Sequence, residues 1–242
     1  ANSPYCGPCD PNHGTPATYK KVYGLGNASS GDPATMAGFV AWEEAAGHAS
    51  KDWCGVMSMF PPEKLPIITT LAQEFAIMDR FFCSHPGPTW PNRMYCLSAT
   101  SAGSTETGTW YNNTPGKLFP QRTVLDQVTT AGLTAKNYYN DTPWEMFMES
   151  IAHHPERQFD MNTFYEHVET GDLPSFAWIN PRSGVNVTTG VGSDDQHPDH
   201  DVALGELLMK NIYEALRAGP KWNETLFIIT MDEHGAFQLS CA

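Results

Sequence analysis

Apolar residues along this chain fall into continuous runs and into stripes of helical spacing. Apolar runs predict β-strands at 75–82, 175–179 and 226–231, of which the last two are expected to be buried, and 133–139 (LTAKNYY) is also predicted to be a strand. Helices are predicted over 36–46, within 62–75, and over 94–100, 123–130, 144–151 and 202–218. Loops are predicted where Gly, Pro, Asn, Ser and Thr are frequent, at 1–35, 103–120 and 180–195. The alternation predicts one α/β domain over 1–242, with helices on both faces of a mostly parallel sheet.

A proline-rich turn at 84–93 (SHPGPTWPNR) follows the first predicted strand. Gly87 and Pro88 predict a sharp turn, and Pro91 suits a first helical turn, where its missing N–H costs nothing. Thr89 is therefore expected on a strand-to-helix elbow, near the free N–H groups of a helix N-terminus. Such a terminus favours anions, so Thr89 is a candidate nucleophile for phosphoryl transfer. The alternative is a plain turn in which Thr89 caps the helix.

Histidines and carboxylates cluster at two later positions. His197 lies within 193–201 (SDDQHPDHD), directly before the longest predicted helix. Asp232, Glu233 and His234 directly follow the last apolar run. Ligands of open α/β sheets collect at the carboxyl ends of strands, and ionisable groups buried there are costly unless they bind something. At 232–234 we therefore expect metal binding rather than a salt-bridge cluster.

The charge balance excludes one class of partner. The 242 residues include 14 Lys and Arg against 27 Asp and Glu, which gives a formal net charge of −13. Because no local basic patch is present, we expect no nucleic-acid binding. No apolar run approaches the ~20 residues that a membrane span needs. An acidic surface admits a phosphate site, but it makes help from a metal ion or a histidine more necessary.

Sequons and cysteines favour a secretory route. Sequons begin at Asn27, Asn112, Asn140, Asn186 and Asn223. Coincidence in a cytosolic protein is the alternative. Six cysteines fit disulfides without fixing their pairing, and the lone C-x-x-C of Cys6 and Cys9 lacks the second pair of a zinc site. We expect disulfides or free thiols in a secreted, lysosomal or vacuolar glycoprotein.

These residue types match the needs of phosphate-ester hydrolysis, which requires up to ~10²¹-fold acceleration. A threonine hydroxyl such as that of Thr89 is a weak nucleophile and needs activation. Carboxylates supply a site for a hard metal ion. A histidine, either His197 or His13 in the first loop, can bind phosphoryl oxygens or protonate the leaving alkoxide, typically worth ~10²–10⁴ in rate.

Several motifs occur together and in a fixed order. An early histidine lies in 10–13 (DPNH), and the elbow 87–93 (GPTWPNR) is followed by 98–103 (SATSAG). A His-Pro pair lies in 195–198 (DQHP), and a late motif is 232–235 (DEHG). Taken together, these motifs resemble the phosphoesterase family, which contains non-specific phospholipases C and certain acid phosphatases. Their joint occurrence is far more specific than any one of them.

The resemblance implies an alkaline-phosphatase-like α/β/α sandwich with three layers. It also implies that Thr89 is the nucleophile. Asp232, Glu233 and Thr89 are then ligands of a divalent metal ion whose identity the sequence does not give.

The resemblance also implies roles for the histidines. His13 and His197 are expected to be catalytic and to contact the phosphoryl group or the leaving oxygen. His234 is a weaker candidate for substrate binding. Asn92 is expected to bind substrate or, with Arg93, to support the elbow.

The implied function is phospholipase C-type cleavage of phospholipid phosphodiesters, with a phospholipid or small phosphate ester as partner and transient contact with a membrane surface. An acid phosphatase-type phosphomonoesterase is one alternative. The other is a truncated, inactive binding or structural protein. A sulfatase-like relative would not carry the Pro-Asn-Arg of the elbow.

Two departures from the family pattern support the inactive alternative. The opening Glu-Asn motif of the family is absent, and the late motif lacks its usual Asp-His continuation after Phe237. We therefore expect the domain to be truncated at both ends.

Overall fold

Three parallel strands form the sheet at the centre of this fold. The structure is a computed structural model that describes residues 9–26, 32–48, 53–184 and 190–238. The strands are β1 (Ala135–Tyr139), β2 (Gln158–Asp160) and β3 (Phe176–Asn180), in the order β2-β1-β3. Both neighbours pair with β1 in parallel, and Asn137 lies opposite Gln158 and Trp178. The predicted α/β class is confirmed.

Helices surround this sheet. Within the described residues they are α1 (Thr15–Tyr23), α2 (Phe39–Ala45), α3 (Pro66–Glu74), α4 (Thr89–Ser98), α5 (Val124–Thr130), α6 (Glu149–Ala152), α7 (Met161–Thr170) and α8 (Val202–Ala218). The helices predicted at α2, α3, α5 and α8 are confirmed, and α8 has the predicted bounds. None of the described helices combines the length and the apolar character that crossing a membrane requires.

Side-chain caps explain where three of these helices begin. Thr123 and Asp126 form a reciprocal capping box at the start of α5. Asp160 and Asp201 accept hydrogen bonds from backbone N–H groups in the first turns of α7 and α8. Each cap satisfies a donor that the helix leaves free, which typically contributes about 1 kcal/mol.

Apolar side chains bury both faces of the sheet. On one face, Ala135 packs in a core that includes Met94 of α4 and Leu125 of α5. On the other face, Tyr138 packs in a core that includes Phe164 of α7 and Leu216 of α8. Side chains of a strand point alternately to its two faces, so β1 contributes to both cores. Helices thus cover the sheet on both sides, in the predicted three layers.

Two predicted strands, 75–82 and 226–231, are wrong. Neither run belongs to a strand of the described structure, and Phe82 and Leu226 are 63% and 84% exposed. An apolar run becomes a strand when a neighbouring strand pairs with its N–H and C=O groups. In the part of the chain that the structure describes, no strand pairs with either run.

Three further boundaries differ from the prediction. α1 lies inside the predicted loop 1–35, since a proline in its first turn favours helix initiation despite the surrounding Gly and Asn. α4 begins at Thr89 rather than at residue 94, because the extended Pro88 is its N-cap. The predicted helix 144–151 is mostly turn and is helical only at 149–151, where it overlaps α6. β2 and α7 lie where no element was predicted.

A disulfide ties the segment before α1 to the chain after α2. It joins Cys9 to Cys54, while Cys83 and Cys96 are free thiols. The expectation of disulfides or free thiols is met for these four cysteines. Outside the described residues lie Cys6, Cys241 and the sequons at Asn27 and Asn186.

Candidate active site

The chain turns sharply before α4. Gly87 lies so close to its neighbours that an added Cβ would be 2.5 Å from the Oγ1 of Thr15 and 2.7 Å from the ring of His85. Only glycine fits this close approach. Pro88 then adopts an extended conformation, and Thr89 is the first residue of α4. The predicted elbow therefore has its turn and its helix, but no strand precedes it among the described residues.

The side chain of Asn92 holds this elbow together. Its Oδ1 accepts a hydrogen bond from the N–H of His85 at 2.8 Å. Its Nδ2 donates to the carbonyl oxygens of His85, Gly87 and Pro88 at 3.0, 3.1 and 3.2 Å. Asn92 is buried, where unpaired backbone groups would be costly. Asn92 thus supports the elbow, and these bonds disfavour the predicted contact with substrate, which stays a prediction.

Thr89 lies on the same face of α4 as Arg93, the residue that binds Asp232. Thr89 is half-buried at the N-terminal end of α4. Arg93 follows it by one helical turn, so the two side chains are neighbours on the helix surface. The Nε of Arg93 donates to the Oδ2 of Asp232 at 3.0 Å. The elbow and the late motif, 139 residues apart at this contact, therefore meet at α4.

Asp232 and Glu233 form a half-buried carboxylate pair. Burial, together with the like charge of Asp232, raises the pKa of Glu233 to about 7, although His13 and His197 oppose the shift. The Oε2 of Glu233 accepts a hydrogen bond from the N–H of Gly235 at 2.7 Å. A bound cation would offset the cost of holding these two charges together, so the pair fits a cation site.

His13 lies within electrostatic reach of Glu233. Its Nδ1 is 2.9 Å from the carbonyl oxygen of Pro11 and 3.4 Å from the Oδ1 of Asp10. Burial alone would lower the pKa of His13. The hydrogen bond with Asp10, the charge of Glu233 and the carbonyl of Pro11 outweigh burial and raise that pKa to about 9. His13 is thus a cation at neutral pH.

His197 lies beside His13, with the ring centroids 5.4 Å apart. Its Nδ1 is 2.8 Å from the Oδ1 of Asp199, and its backbone N–H donates to the Oδ1 of Asp195 at 3.1 Å. The same Asp195 oxygen is 2.6 Å from the Nδ1 of His200. The carboxylate on Nδ1 orients the His197 ring and leaves its Nε2 as the atom for proton transfer.

Both ring nitrogens of His234 contact the protein itself. Its Nδ1 accepts a hydrogen bond from the N–H of Ala236 at 2.7 Å, and its Nε2 is 3.3 Å from the Oγ1 of Thr18. Burial, with the charges of His13 and Lys21, lowers the pKa of His234 to about 4. Both ring nitrogens are in use and the ring is neutral, so contact between His234 and substrate stays a prediction that these bonds disfavour.

Two groups of described side chains bring three ligand atoms within 4.8 Å of one another: Asp10, His13 and His197, and His197, Asp199 and His200. A third group contains Cys9 and Cys54, whose sulfur atoms are joined in the disulfide. Groups able to hold a metal ion therefore lie at the candidate histidines. The predicted set is a different one: Thr89, Asp232 and Glu233 offer only oxygen atoms, which fits a hard divalent cation.

Sequence reasoning did not assign roles to several residues of this site. Asp10 pairs with His13, and Asp199 pairs with His197. Each aspartate lies only two or three residues from its histidine, and this short spacing could have indicated the pairing from sequence. His85, in the elbow itself, has its Nε2 2.7 Å from the Oγ1 of Thr15. The pairing of Arg93 with Asp232 had no local signal, because it joins distant parts of the chain.

The raised pKa of His13 makes the stability of the cation-free protein pH-dependent. The folded pKa of about 9 exceeds the ordinary 6.5, so the contribution is complete below about pH 6.5 and is lost as pH rises through 9. At about 1.4 kcal/mol per unit, His13→Asn should remove about 3 kcal/mol of unfolding free energy near pH 6 and little near pH 10.

Chemical denaturation with a chelator present, at both pH values, measures this difference. His154→Asn is the control, because His154 is an exposed histidine that also pairs with a carboxylate, that of Glu156. An equal loss at both pH values would show that His13 is not preferentially charged in the folded state.

Comparison with known proteins agrees with the motif pattern. The model of the Phosphoesterase family matches residues 3–239. The chain is 40% identical to non-specific phospholipase C3 of Arabidopsis thaliana over 94% of this chain and 43% of that relative. It is 38% identical to non-specific phospholipase C6 of the same plant, over 94% of this chain and 42% of that relative.

A more distant relative is bacterial. The chain is 27% identical to phospholipase C A of Mycobacterium tuberculosis, over 75% of this chain and 38% of that relative. The chain therefore spans less than half the length of each of these three curated relatives.

Proposed function

Because this chain belongs to the phosphoesterase family, we propose that its site cleaves phosphate esters, and most specifically the phosphodiester of a phospholipid, as a phospholipase C does. The names of the relatives support this substrate class. The observation that carries the proposal is the contact between Arg93 and Asp232, because it joins the helix of Thr89 to the carboxylate pair that His13 senses electrostatically.

In the proposed reaction, Thr89 acts as an alkoxide whose proton has passed to solvent. Its Oγ forms a bond to phosphorus while the bond between phosphorus and the glycerol oxygen breaks. The departing oxygen takes a proton from a histidine and leaves as diacylglycerol. Water then gives a proton back to that histidine and attacks phosphorus, which releases the phosphorylated headgroup and restores the Thr89 alkoxide.

The histidines take the two remaining roles. We assign the proton donor to His197, since Asp199 holds its Nδ1 and the Nε2 faces no described hydrogen-bond partner. We assign phosphoryl binding to His13, because the hydrogen bond with Asp10 and nearby negative charge outweigh burial and raise the pKa of this histidine. A fixed positive charge near developing negative oxygen favours the transition state over the ground state.

A divalent cation completes the proposal. Asp232 and Glu233, with the Thr89 hydroxyl, are the residues that would hold it. When bound, such an ion lowers the pKa of a hydroxyl ligand and offsets phosphoryl charge. The carboxylates contribute by fixing charge at the elbow, and Glu233 is the member whose burial most favours a counter-ion.

We further propose a secretory location for the protein. The Cys9–Cys54 disulfide and two exposed sequon asparagines, Asn112 and Asn223, support it. A phospholipid substrate would also require transient contact with a membrane surface.

The test is hydrolysis by the purified protein of phosphatidylcholine vesicles and, separately, of an aryl phosphate monoester. We expect release of phosphocholine and diacylglycerol, loss of that activity with a chelator, and recovery with a divalent ion. Cleavage of the monoester alone would support the phosphatase alternative. Inertness towards both substrates with divalent ions supplied would contradict hydrolysis by this chain.

A further inference from the structure

A ladder of buried polar side chains crosses the sheet. The Nδ2 of Asn137 in β1 donates to the Oε1 of Gln158 in β2 at 2.9 Å. The Nδ2 of Asn180 in β3 donates to the Oδ1 of Asn137 at 2.8 Å and to the Oε2 of Glu145 at 3.0 Å. Asn137, Asn180 and Glu145 are each 0% exposed. The ladder is thus a rigid, fully hydrogen-bonded unit fixed to the strands.

Arg93 connects this ladder to the carboxylate pair of the site. Its Nη1 donates to the Oε1 of Glu145 at 2.8 Å and to the Oδ1 of Asn180 at 2.7 Å. Its Nε donates to the Oδ2 of Asp232 at 3.0 Å. The guanidinium carbon also lies 5.9 Å from the centre of the Trp144 ring. The Nη1 of the guanidinium is therefore held by Glu145 and Asn180, and its Nε holds Asp232.

The two carboxylates that Arg93 contacts differ in what they need from it. Glu145 is fully buried, so it must stay paired, and the Nε1 of Trp178 also donates to it at 3.2 Å. The side chain of Asp232 is 31% exposed, and only its Oδ2 is bonded to Arg93. This arrangement holds Asp232 in one orientation while its Oδ1 stays clear of Arg93.

We propose that Arg93, anchored by Glu145 and Asn180, is a positioning residue that orients Asp232 as a ligand for a divalent cation. The inference rests on the proposed function, because it takes Asp232 as a cation ligand. Residues that orient metal ligands commonly change metal affinity by 10–100-fold when they are replaced. Lysine in place of Arg93 keeps the positive charge and the apolar stem but cannot bond three partners from one planar group.

A purely structural ion pair is the competing explanation, and the chain offers a matched control. Arg157 and Asp126 form an ion pair at 2.8 Å whose side chains are both 14% exposed, the same exposure as Arg93. Neither residue contacts the site. Arg157→Lys therefore removes a guanidinium of the same exposure from an ion pair, and it leaves Asp232 unchanged.

The experiment measures cation affinity directly, by calorimetric titration of the chelator-treated protein with Mg²⁺, Ca²⁺ and Mn²⁺ in turn. For the ion that binds the wild type most tightly, we expect Arg93→Lys to weaken binding about 10–100-fold and Arg157→Lys to leave it within about twofold. In phosphatidylcholine assays, added cation should recover much of the kcat of Arg93→Lys.

Asp232→Asn separates failure of this inference from failure of the proposed function. If Asp232→Asn binds the cation like the wild type, Asp232 is not a ligand and the proposed site is wrong. If Asp232→Asn weakens cation affinity while a folded Arg93→Lys variant does not, the positioning role of Arg93 is overturned.

If circular dichroism shows that Arg93→Lys does not fold, Glu145→Gln takes its place in the titration. We expect about tenfold weaker binding, because Arg93 then loses an anchor and no longer holds Asp232 in one orientation, and unchanged affinity overturns the inference.

Discussion

Thr89→Ala is expected to reduce phosphatidylcholine turnover by at least about 10³-fold, because it removes the proposed nucleophile while leaving the helix in place. Thr89 is the first residue of α4, and alanine is the best helix former, so the elbow should keep its shape. Asn92 holds that elbow through backbone groups only, and these are unchanged in the variant. The measurement is the initial rate of phosphocholine release at saturating substrate.

Two further variants serve as controls for Thr89→Ala. Thr89→Ser retains a hydroxyl at the same position and should keep a measurable fraction of turnover. Thr70→Ala removes an exposed helical threonine of α3 and should change nothing beyond about twofold. If Thr89→Ala keeps a tenth or more of the wild-type rate, Thr89 is not the nucleophile, and Thr15 near His85 becomes the next hydroxyl to test.

Two helices of this fold, α5 and α8, were predictable from sequence because their signals lie within each helix and its caps. α8 has the predicted bounds, 202–218, since Asp201 caps its start and Gly219 follows its end. α5 begins at a capping box that the local sequence contains in full. Helical spacing and capping are short-range signals, so a single stretch of chain carries them.

The strands were harder to predict because an apolar run does not specify its partner. The runs 133–139 and 175–179 pair with each other as β1 and β3, which covers their backbone groups. The runs 75–82 and 226–231 are equally apolar, yet the described structure gives them no strand partner and leaves Ile77 and Ile228 exposed. Pairing is a property of two segments, and composition describes one.

In the site too, local motifs were predictable and contacts between distant segments were not. Motifs identified Thr89, His13 and His197 one stretch at a time. What brings distant stretches together is Arg93, and its role depends on Asp232, a residue 139 positions away. No local pattern contains such a contact.

Local charge in the site also differs from the charge of the whole chain. The formal net charge of −13 repels an anionic ester on average. Near the carboxylate pair, His13 with its raised pKa provides positive potential, and at the elbow the N-terminus of α4 does so. These groups are fixed by packing, so they favour a phosphoryl group without requiring a basic surface.

His197→Asn is expected to show a strong dependence on the leaving group. The alkoxide of diacylglycerol is a poor leaving group and needs a proton, so the phosphatidylcholine rate should fall about 10²–10⁴-fold. An aryl phosphodiester with the same headgroup releases a stable phenolate, and its rate should fall by less than about tenfold. The ratio of the two rates therefore reports proton donation separately from folding or substrate binding.

The matched control is His154→Asn. His154 has its Nδ1 2.8 Å from Glu156, two residues later, which repeats the geometry of His197 with Asp199 away from the site. This variant should leave both rates within about twofold.

An equal loss for His197→Asn on both substrates would assign His197 to phosphoryl binding instead. Proton donation would then pass to the neighbouring His13, whose ring lies 5.4 Å away. That reassignment is itself testable, since a donor with a pKa near 9 would extend the alkaline limb of the rate profile towards that pH.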